Sequence, residues 1–273
     1  MTAQRRVKTG SGSGTAVGVI PARYAASRFP GKPLVRIAGL PMLQRVVEGA
    51  REAKRLRKVI VATDDPRIAE ACASFGVEAV LTSPDHPTGT DRIAEVAAGL
   101  GDEIIVNIQG DEPFLEGEAI ERLLAAFAGG TEAGAGTIAT PMASAEALYD
   151  PATVKVVVGS AGEALYFSRC PIPWRPGLWG RSADGSPCLP DRPPDPGGWL
   201  RHVGVYAYRP EVLARVTALA PTPLETAESL EQLRLLEHGV RLLVVVAPWN
   251  GISVDTPDDL ERARQRAALQ PGD

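Results

Sequence analysis

The chain has 273 residues, 44% hydrophobic and 23% charged, which is enough for one large domain or two small ones and ordinary for a soluble globular protein. A formal net charge of −4 argues against broad nucleic-acid binding while leaving room for a local basic site. Three widely separated cysteines, Cys72, Cys170 and Cys188, form no C-x-x-C pair, which disfavours a disulfide framework and a structural zinc site.

Residues 1–15 read as a disordered tail whose Arg5, Arg6 and Lys8 are solvated. They contain no apolar signal-peptide core, and no later stretch approaches the roughly 18 consecutive apolar residues of a membrane span, so a cytoplasmic protein is expected. Val17, Val19 and Ile20 predict a short buried strand that Pro21 ends. The loop that follows carries Arg23, Arg28 and Lys32. At the carboxyl end of a first strand, such a cationic loop suits a polyanion such as phosphate, although basic surface loops are common. It is not a Walker loop, because Gly31-Lys32 is followed by Pro33. The glycines at 10, 12 and 14 precede the strand, so they form no dinucleotide fingerprint.

Leu34 to Ile37 predict a short strand, and Pro41 opens a helix with Leu43, Val46, Val47 and Ala50 inward. Val59 to Ala62 is a buried strand ending in Thr63-Asp64-Asp65, followed by a helix from Pro66 with Ile68, Ala71, Cys72 and Phe75 on its inner face. Val77 to Leu81 is a further strand. After it, Thr88, Gly89, Thr90 and Arg92 stand at the start of a helix bearing Ile93, Val96, Ala97 and Leu100. A helix N-terminus can hold an anion, or its Thr and Asp can simply cap it. Ile104 to Ile108 runs straight into Gln109-Gly110-Asp111-Glu112-Pro113. An acidic pair there suits a metal or polar substrate, the alternative being a solvated turn.

A helix over Glu116–Phe127 and a strand over Gly136–Met142 complete a strand-helix alternation that predicts a mainly parallel sheet with helices on both faces. Val154–Val158, Ala164–Ser168 and His202–Tyr208 follow as strands without helices between them, which predicts an antiparallel extension. Between the last two lies Arg175–Gly198, rich in Pro, Gly and Arg and expected to be a long irregular loop that is mobile or at a subunit contact. Helices are expected over Pro210–Ala218 and Glu225–His238 and a buried strand within Arg241–Ala247. Thr256 can cap a last helix that opens with Pro257, with Asp255 just outside the cap.

Eight ordered segments carry a family resemblance: I-P-A-R-Y-A-A-S-R-F-P-G-K-P-L, V-A-T-D, H-P-T-G-T-D-R-I-A-E, V-N-I-Q-G-D-E-P, A-L-Y-F-S-R-C-P-I-P-W, R-H-V-G-V-Y-A-Y-R, L-E-Q-L-R and S-V-D-T-P-D-D-L-E. From about Val17 to Arg264 the chain resembles the 3-deoxy-manno-octulosonate cytidylyltransferases. The resemblance implies a nucleotide-diphospho-sugar transferase fold, a Rossmann-like α/β sandwich, in a single domain over residues 16–273. It also implies a homodimer joined through an extension at 155–209, and a reaction in which CTP and an acidic sugar give a CMP-sugar and pyrophosphate with Mg2+. It places Arg23, Arg28 and Lys32 on the triphosphate, and Pro21, Ala22, Ala62, Thr63, Asp64, Thr88, Gly89, Thr90 and Arg92 around the nucleotide. Asp111 and Asp255 match the metal aspartates, and Gln109, Arg169, His202, Tyr206 and Glu231 match the sugar site. Arg23, Lys32 and Asp111 are thereby the expected catalytic groups, acting by charge neutralisation with no protein nucleophile and no chemistry for Cys170. Two other readings stay open: a different anionic acceptor (an amino analogue, another high-carbon acidic sugar or a phosphonate), and a nucleotide-binding subunit without turnover.

Overall fold

The computed structural model describes residues 15–25, 29–175, 180–181, 184–185, 187–188 and 198–269. Strand β1 (Ala16–Ala22) leads through a 3-10 turn (Lys32–Leu34) and a small hairpin, β2 (Arg36–Ile37) with β3 (Leu40–Pro41), into α1 (Met42–Arg51). Then β4 (Leu56–Thr63), α2 (Pro66–Ser74), β5 (Glu78–Leu81), α3 (Gly89–Ala97), β6 (Ile104–Asn107), α4 (Gly117–Ala128) and β7 (Ala135–Pro141) alternate. The second half holds α5 (Ala145–Tyr149), β8 (Lys155–Val158), β9 (Ala164–Ser168), the hairpin β10 (Gly180–Arg181) with β11 (Pro187–Cys188), and β12 (Leu200–Tyr208). It closes with α6 (Pro210–Thr217), α7 (Pro223–Glu228), α8 (Gln232–Glu237), β13 (Leu242–Val246) and α9 (Pro257–Leu269).

The main sheet runs β13-β7-β12-β6-β1-β4-β5, with β8 attached to β12 and β9 to β8. Pairs β1–β4, β1–β6, β4–β5 and β7–β13 are parallel, whereas β12 is antiparallel to β6, β7 and β8, and β8 to β9. This is the mainly parallel sheet with an antiparallel extension that the element order predicts. Helices α1, α2 and α4 cover one face through Leu43, Val46, Ile68, Cys72, Ile120 and Leu123. Helices α3, α6 and α8 cover the other through Ile93, Val96, Leu213, Val216, Leu233 and Leu235. Strand β1, buried on both faces, therefore reads as a continuous apolar run. The chain leaves β1 toward β4 and β5, then returns to place β6 on β1's other side, so the strand order reverses at β1. A crevice opens at the carboxyl ends of β1 and β6, where ligands of open α/β sheets bind.

Several sequence expectations are corrected. Pro21 does not end the first strand but pairs opposite Ala62 within it. The ladder to β6 stops at Val19, whose carbonyl accepts from Ile108 N. By strand alternation the nitrogen of Pro21 faces that same side, past the last rung, so its missing N–H costs no ladder bond. Leu34–Ile37 divides into the 3-10 turn and β2 instead of one strand. Glu225–His238 is two helices, because Ser229 adopts φ 52°, caps α7 in the left-handed region and lets Leu230 turn into the core. Within Arg175–Gly198 the expected irregular loop contains the β10–β11 hairpin, and most of its other residues, like the tail and Arg28, lie outside the described residues. Helix α5 was not anticipated; its N-cap is Ser144, whose hydroxyl accepts from Ala147 N.

Candidate active site

Lys32 is the pivot of the crevice. Its ammonium donates to Asp111 Oδ2 at 2.9 Å and to Asp255 Oδ1 at 3.0 Å, joining the loop after β1, the exit of β6 and the loop before α9. Burial opposes the charge on Lys32, but the two carboxylates outweigh it, so its pKa lies above the ordinary lysine value and it is a cation at neutral pH. The backbone fixes this meeting. Val254 N donates to Asp111 O, and Asp259 Oδ2 accepts from Asp255 N and from the N–H and hydroxyl of Thr256. Gly110 lets the β6 exit pass close to β1: a Cβ there would lie 3.1 Å from Pro21 O.

The nucleotide-region residues are also brought together. Arg23 donates to the His86 carbonyl, and Gly89 packs on the Pro21 ring, so the start of α3 abuts the end of β1. Thr88 and Asp91 form a capping box, which spends the Thr88 hydroxyl on the helix. Thr63 is buried, and its carbonyl accepts from the backbone and hydroxyl of Thr82. Arg92 is fully buried, 3.2 Å from Asp64 Oδ2, yet its Nε and Nη2 have no aligned hydrogen-bond acceptor. Desolvation lowers its pKa despite the Asp64 charge. Ala22 and Ala62 are core residues at the same strand ends.

Beside Lys32 opens a cavity of about 490 Å3 lined by Gln109, Asp111, Glu112, Arg201, His202 and Asp255, among others. A smaller one of about 220 Å3, lined by Thr90, Asn107, Gln109, Tyr206, Tyr208, Glu231 and Gln232 among others, shares Gln109 and Gly204 with it. Gln109 donates to Asn107 Oδ1 at 3.0 Å. The Thr137 hydroxyl lies 2.8 Å from Val205 O, 3.2 Å from Val203 O and 3.0 Å from His202 Nε2, pinning the bulge of β12. With its one proton spent on a carbonyl, that hydroxyl accepts from His202 Nε2–H, leaving Nδ1 as an acceptor. The His202 ring sits edge-on to Phe167 and tilted on Tyr206. Burial, with the adjacent Arg201 charge, pushes its pKa down to about 3. Burial raises the pKa of Tyr206 well above the phenol value and that of Glu231 above the ordinary carboxyl, the latter against a hydrogen bond from Thr90.

Arg169 stands apart from this cavity wall. Its guanidinium donates to the carbonyls of Glu228, Pro151 and Ser229, so it braces the α7–α8 junction. Glu112, expected as half of an acidic pair with Asp111, lines the larger cavity, and Arg201, Asn107, Tyr208 and Gln232 line the cavities although sequence reasoning did not single them out. All of them lie inside the quoted segments, and adjacency to His202 and Glu231 was the available signal for Arg201 and Gln232. Burial, with Asp111 next in weight, pushes the Glu112 carboxyl up to about 8, and its Oε2 is buried without a hydrogen-bond partner. Of the cysteines, Cys170 is exposed and free; Cys72 is buried and free, its thiol pushed up to about 11 by burial.

Asp111 and Asp255 converge on one ammonium and present hard oxygen donors. Among the described residues no group of three His, Cys, Asp or Glu could hold a metal. A pair of carboxylates is the donor set that suits Mg2+, whose remaining positions are taken by water and phosphate oxygens. Among the described residues no helix is long and apolar enough to cross a membrane.

Residues 17–242 match the family model described as cytidylyltransferase. The 3-deoxy-manno-octulosonate cytidylyltransferase of Halorhodospira halophila is 47% identical over 252 residues, 91% of this chain and 95% of that protein. The protein of the same name from Anaeromyxobacter dehalogenans is 50% identical over 248 residues, covering 90% and 95%. A solved CMP:2-keto-3-deoxy-manno-octonic acid synthetase complexed with CTP superposes with a TM-score of 0.81 at 42% identity, over 93% of this chain and 98% of that one. A putative glucose-1-phosphate thymidylyltransferase from Bacillus anthracis shares the fold, with a TM-score of 0.63 at 16% identity over 94% and 97%.

Proposed function

As this chain belongs to the 3-deoxy-manno-octulosonate cytidylyltransferase family and is a nucleotidyltransferase, we propose that it transfers CMP from CTP to 3-deoxy-manno-octulosonate. The observation that carries this reading is the meeting of Lys32 with Asp111 and Asp255 at the carboxyl ends of β1 and β6, beside the cavity of Gln109 and His202. In the reaction an acceptor hydroxyl oxygen bonds to the α-phosphorus, the bond from that phosphorus to the bridging oxygen breaks, pyrophosphate leaves, and the hydroxyl proton passes to solvent.

Each group has a physical task. Lys32 and Arg23 set fixed positive charge against the triphosphate, lowering the repulsion that an incoming oxygen meets. Gln109, the neutral His202 with its Nδ1 acceptor, Tyr206 and Glu231 supply hydrogen-bonding groups for the hydroxyls of the sugar. Asp111 and Asp255 would hold Mg2+, which when bound supplies further charge neutralisation and makes a hydroxyl a better nucleophile. The strand ends at Ala22 and Ala62 and the start of α3 frame the nucleotide. Cytoplasmic residence accords with the free Cys72 and Cys170. A homodimer through residues 155–209 accords with Leu165 and Trp174, exposed by 64% and 56% on that extension.

Thermal unfolding with CTP, UTP, ATP or GTP and magnesium tests the nucleotide part. A ligand at about 100 times its Kd stabilises the folded state by about 2.7 kcal/mol. CTP is expected to raise the Tm well above the other three; equal shifts for all four would refute cytidine selection.

A further inference from the structure

A sugar acid brings a carboxylate, and the site needs a cation for it. This inference deepens the acceptor reading above and rests on it. The cations near the larger cavity are mostly engaged. Lys32 is divided between two aspartates, and the Arg169 guanidinium donates to three carbonyls. Lys155 donates to the carbonyls of Asp150 and Thr153, and Arg262 to Asp259 Oδ1. His202 lies on the same wall and stays neutral.

Arg201 differs. It lines the larger cavity between Asp111, Glu112 and His202, and its guanidinium makes no hydrogen bond or ion pair with another described residue. Glu112 is the acidic group that favours its charge, but no hydrogen bond or ion pair joins the two, and the buried Glu112 Oε2 stays unpartnered. A largely buried guanidinium and a buried carboxyl oxygen thus face one cavity without satisfying each other, a costly arrangement that a ligand offering both an anion and a hydroxyl relieves. The backbone holds Arg201 firmly, since β12 pairs it with Thr140 of β7 and Lys155 of β8.

We propose that Arg201 is the specificity-determining residue that receives the carboxylate of the acceptor sugar, with Glu112 Oε2 facing a hydroxyl of the same ligand. The guanidinium fork suits a planar carboxylate better than an ammonium does. Arg201 then selects acids over neutral sugars of the same shape, while the nucleotide is bound elsewhere by Arg23, Lys32 and the start of α3.

The test compares wild type, Arg201→Gln and Arg201→Lys in pyrophosphate release with CTP and magnesium, using 3-deoxy-manno-octulosonate and its methyl amide as acceptors. The CTP-induced Tm shift reports folding and nucleotide binding. Arg201→Gln is expected to raise the acceptor KM about tenfold or more, leave the KM for CTP unchanged, and bring the acid-to-amide ratio of kcat/KM toward one. Arg201→Lys is expected to fall between the two, and it decides the matter if the Gln variant does not fold. An unchanged acceptor KM, an unchanged acid-to-amide ratio, or a parallel loss of CTP binding in a folded variant would overturn the assignment. Wild type that ignores the octulosonate but turns over another acid would refute the acceptor reading, and the same ratio measured on that acid would still decide the role of Arg201. Wild type silent with every acid overturns both.

Discussion

Replacing Lys32 by Met removes the ammonium while keeping an unbranched chain of similar length. Two charge-assisted bonds of 2.9 and 3.0 Å disappear, and Asp111 and Asp255 lose the cation they share. Such bonds contribute roughly 1.5–3 kcal/mol each when well buried. Lys32 is 16% exposed in its side chain but Asp255 is 52%, so the second bond is discounted for screening, and a Tm fall of a few degrees follows. The catalytic loss is larger. A preorganised charge aimed at a developing oxyanion is worth about 2.7–4 kcal/mol, or roughly 10²- to 10³-fold in kcat. The assay is pyrophosphate release at saturating CTP over a magnesium titration, with the acceptor KM followed in parallel. If Lys32 acts on the phosphates, kcat falls by that factor and extra magnesium does not restore it. If Lys32 merely clamps the two aspartates, raised magnesium rescues turnover. Rescue, or a kcat within about fivefold of wild type, would refute the reasoning.

Arg234 donates from Nε and Nη2 to both oxygens of Glu225 at 2.8 and 2.5 Å in a nearly dry setting, so Arg234→Leu leaves a buried carboxylate unpaired; a loss of about 3–5 kcal/mol is expected in denaturant unfolding. Gly49 packs α1 against the entry to α4, and a Cβ there would fall 2.3 Å from Leu115 O, so Gly49→Ala is expected to destabilise by about 1–3 kcal/mol in the same measurement although alanine favours helix. His202 has a folded pKa near 3 against about 6.5 when unfolded, so the unfolded chain binds the extra proton between those values. Its stability contribution is therefore full above pH 6.5 and is lost as pH falls toward 3; His202→Gln should flatten that part of the stability profile, and its pH–activity curve should keep any limb near 6.5 that the wild type shows.

The sheet was legible because its central strands are buried on both faces. Val17 to Ile20, Val59 to Ala62 and Ile104 to Ile108 stand out as apolar runs, and each leads to a polar cluster at the crevice. The antiparallel turn of β12 was legible from strands that follow one another without helices. What local pattern could not reveal was set by partners distant in sequence. Pro21 stays in β1 only because β6 has already ended beside it. Ser229 breaks a run that periodicity reads as one helix, through a left-handed backbone that no residue preference announces. The site shows the same division: the aspartates and Lys32 were visible as motif residues, and their convergence needed three loops from across the chain. Arg169 was expected in the sugar site and Arg201, beside His202, was not, but Arg169 spends its guanidinium on carbonyls whereas Arg201 faces the cavity.

The most direct measurement of the central claim is pyrophosphate release from the purified protein with CTP and magnesium, across 3-deoxy-manno-octulosonate, its amino analogue, other high-carbon sugar acids and phosphonates, with ATP, GTP and UTP as controls. Release that requires both CTP and the octulosonate is the expected result. Release with another nucleotide, or with another acceptor and not the octulosonate, would contradict it.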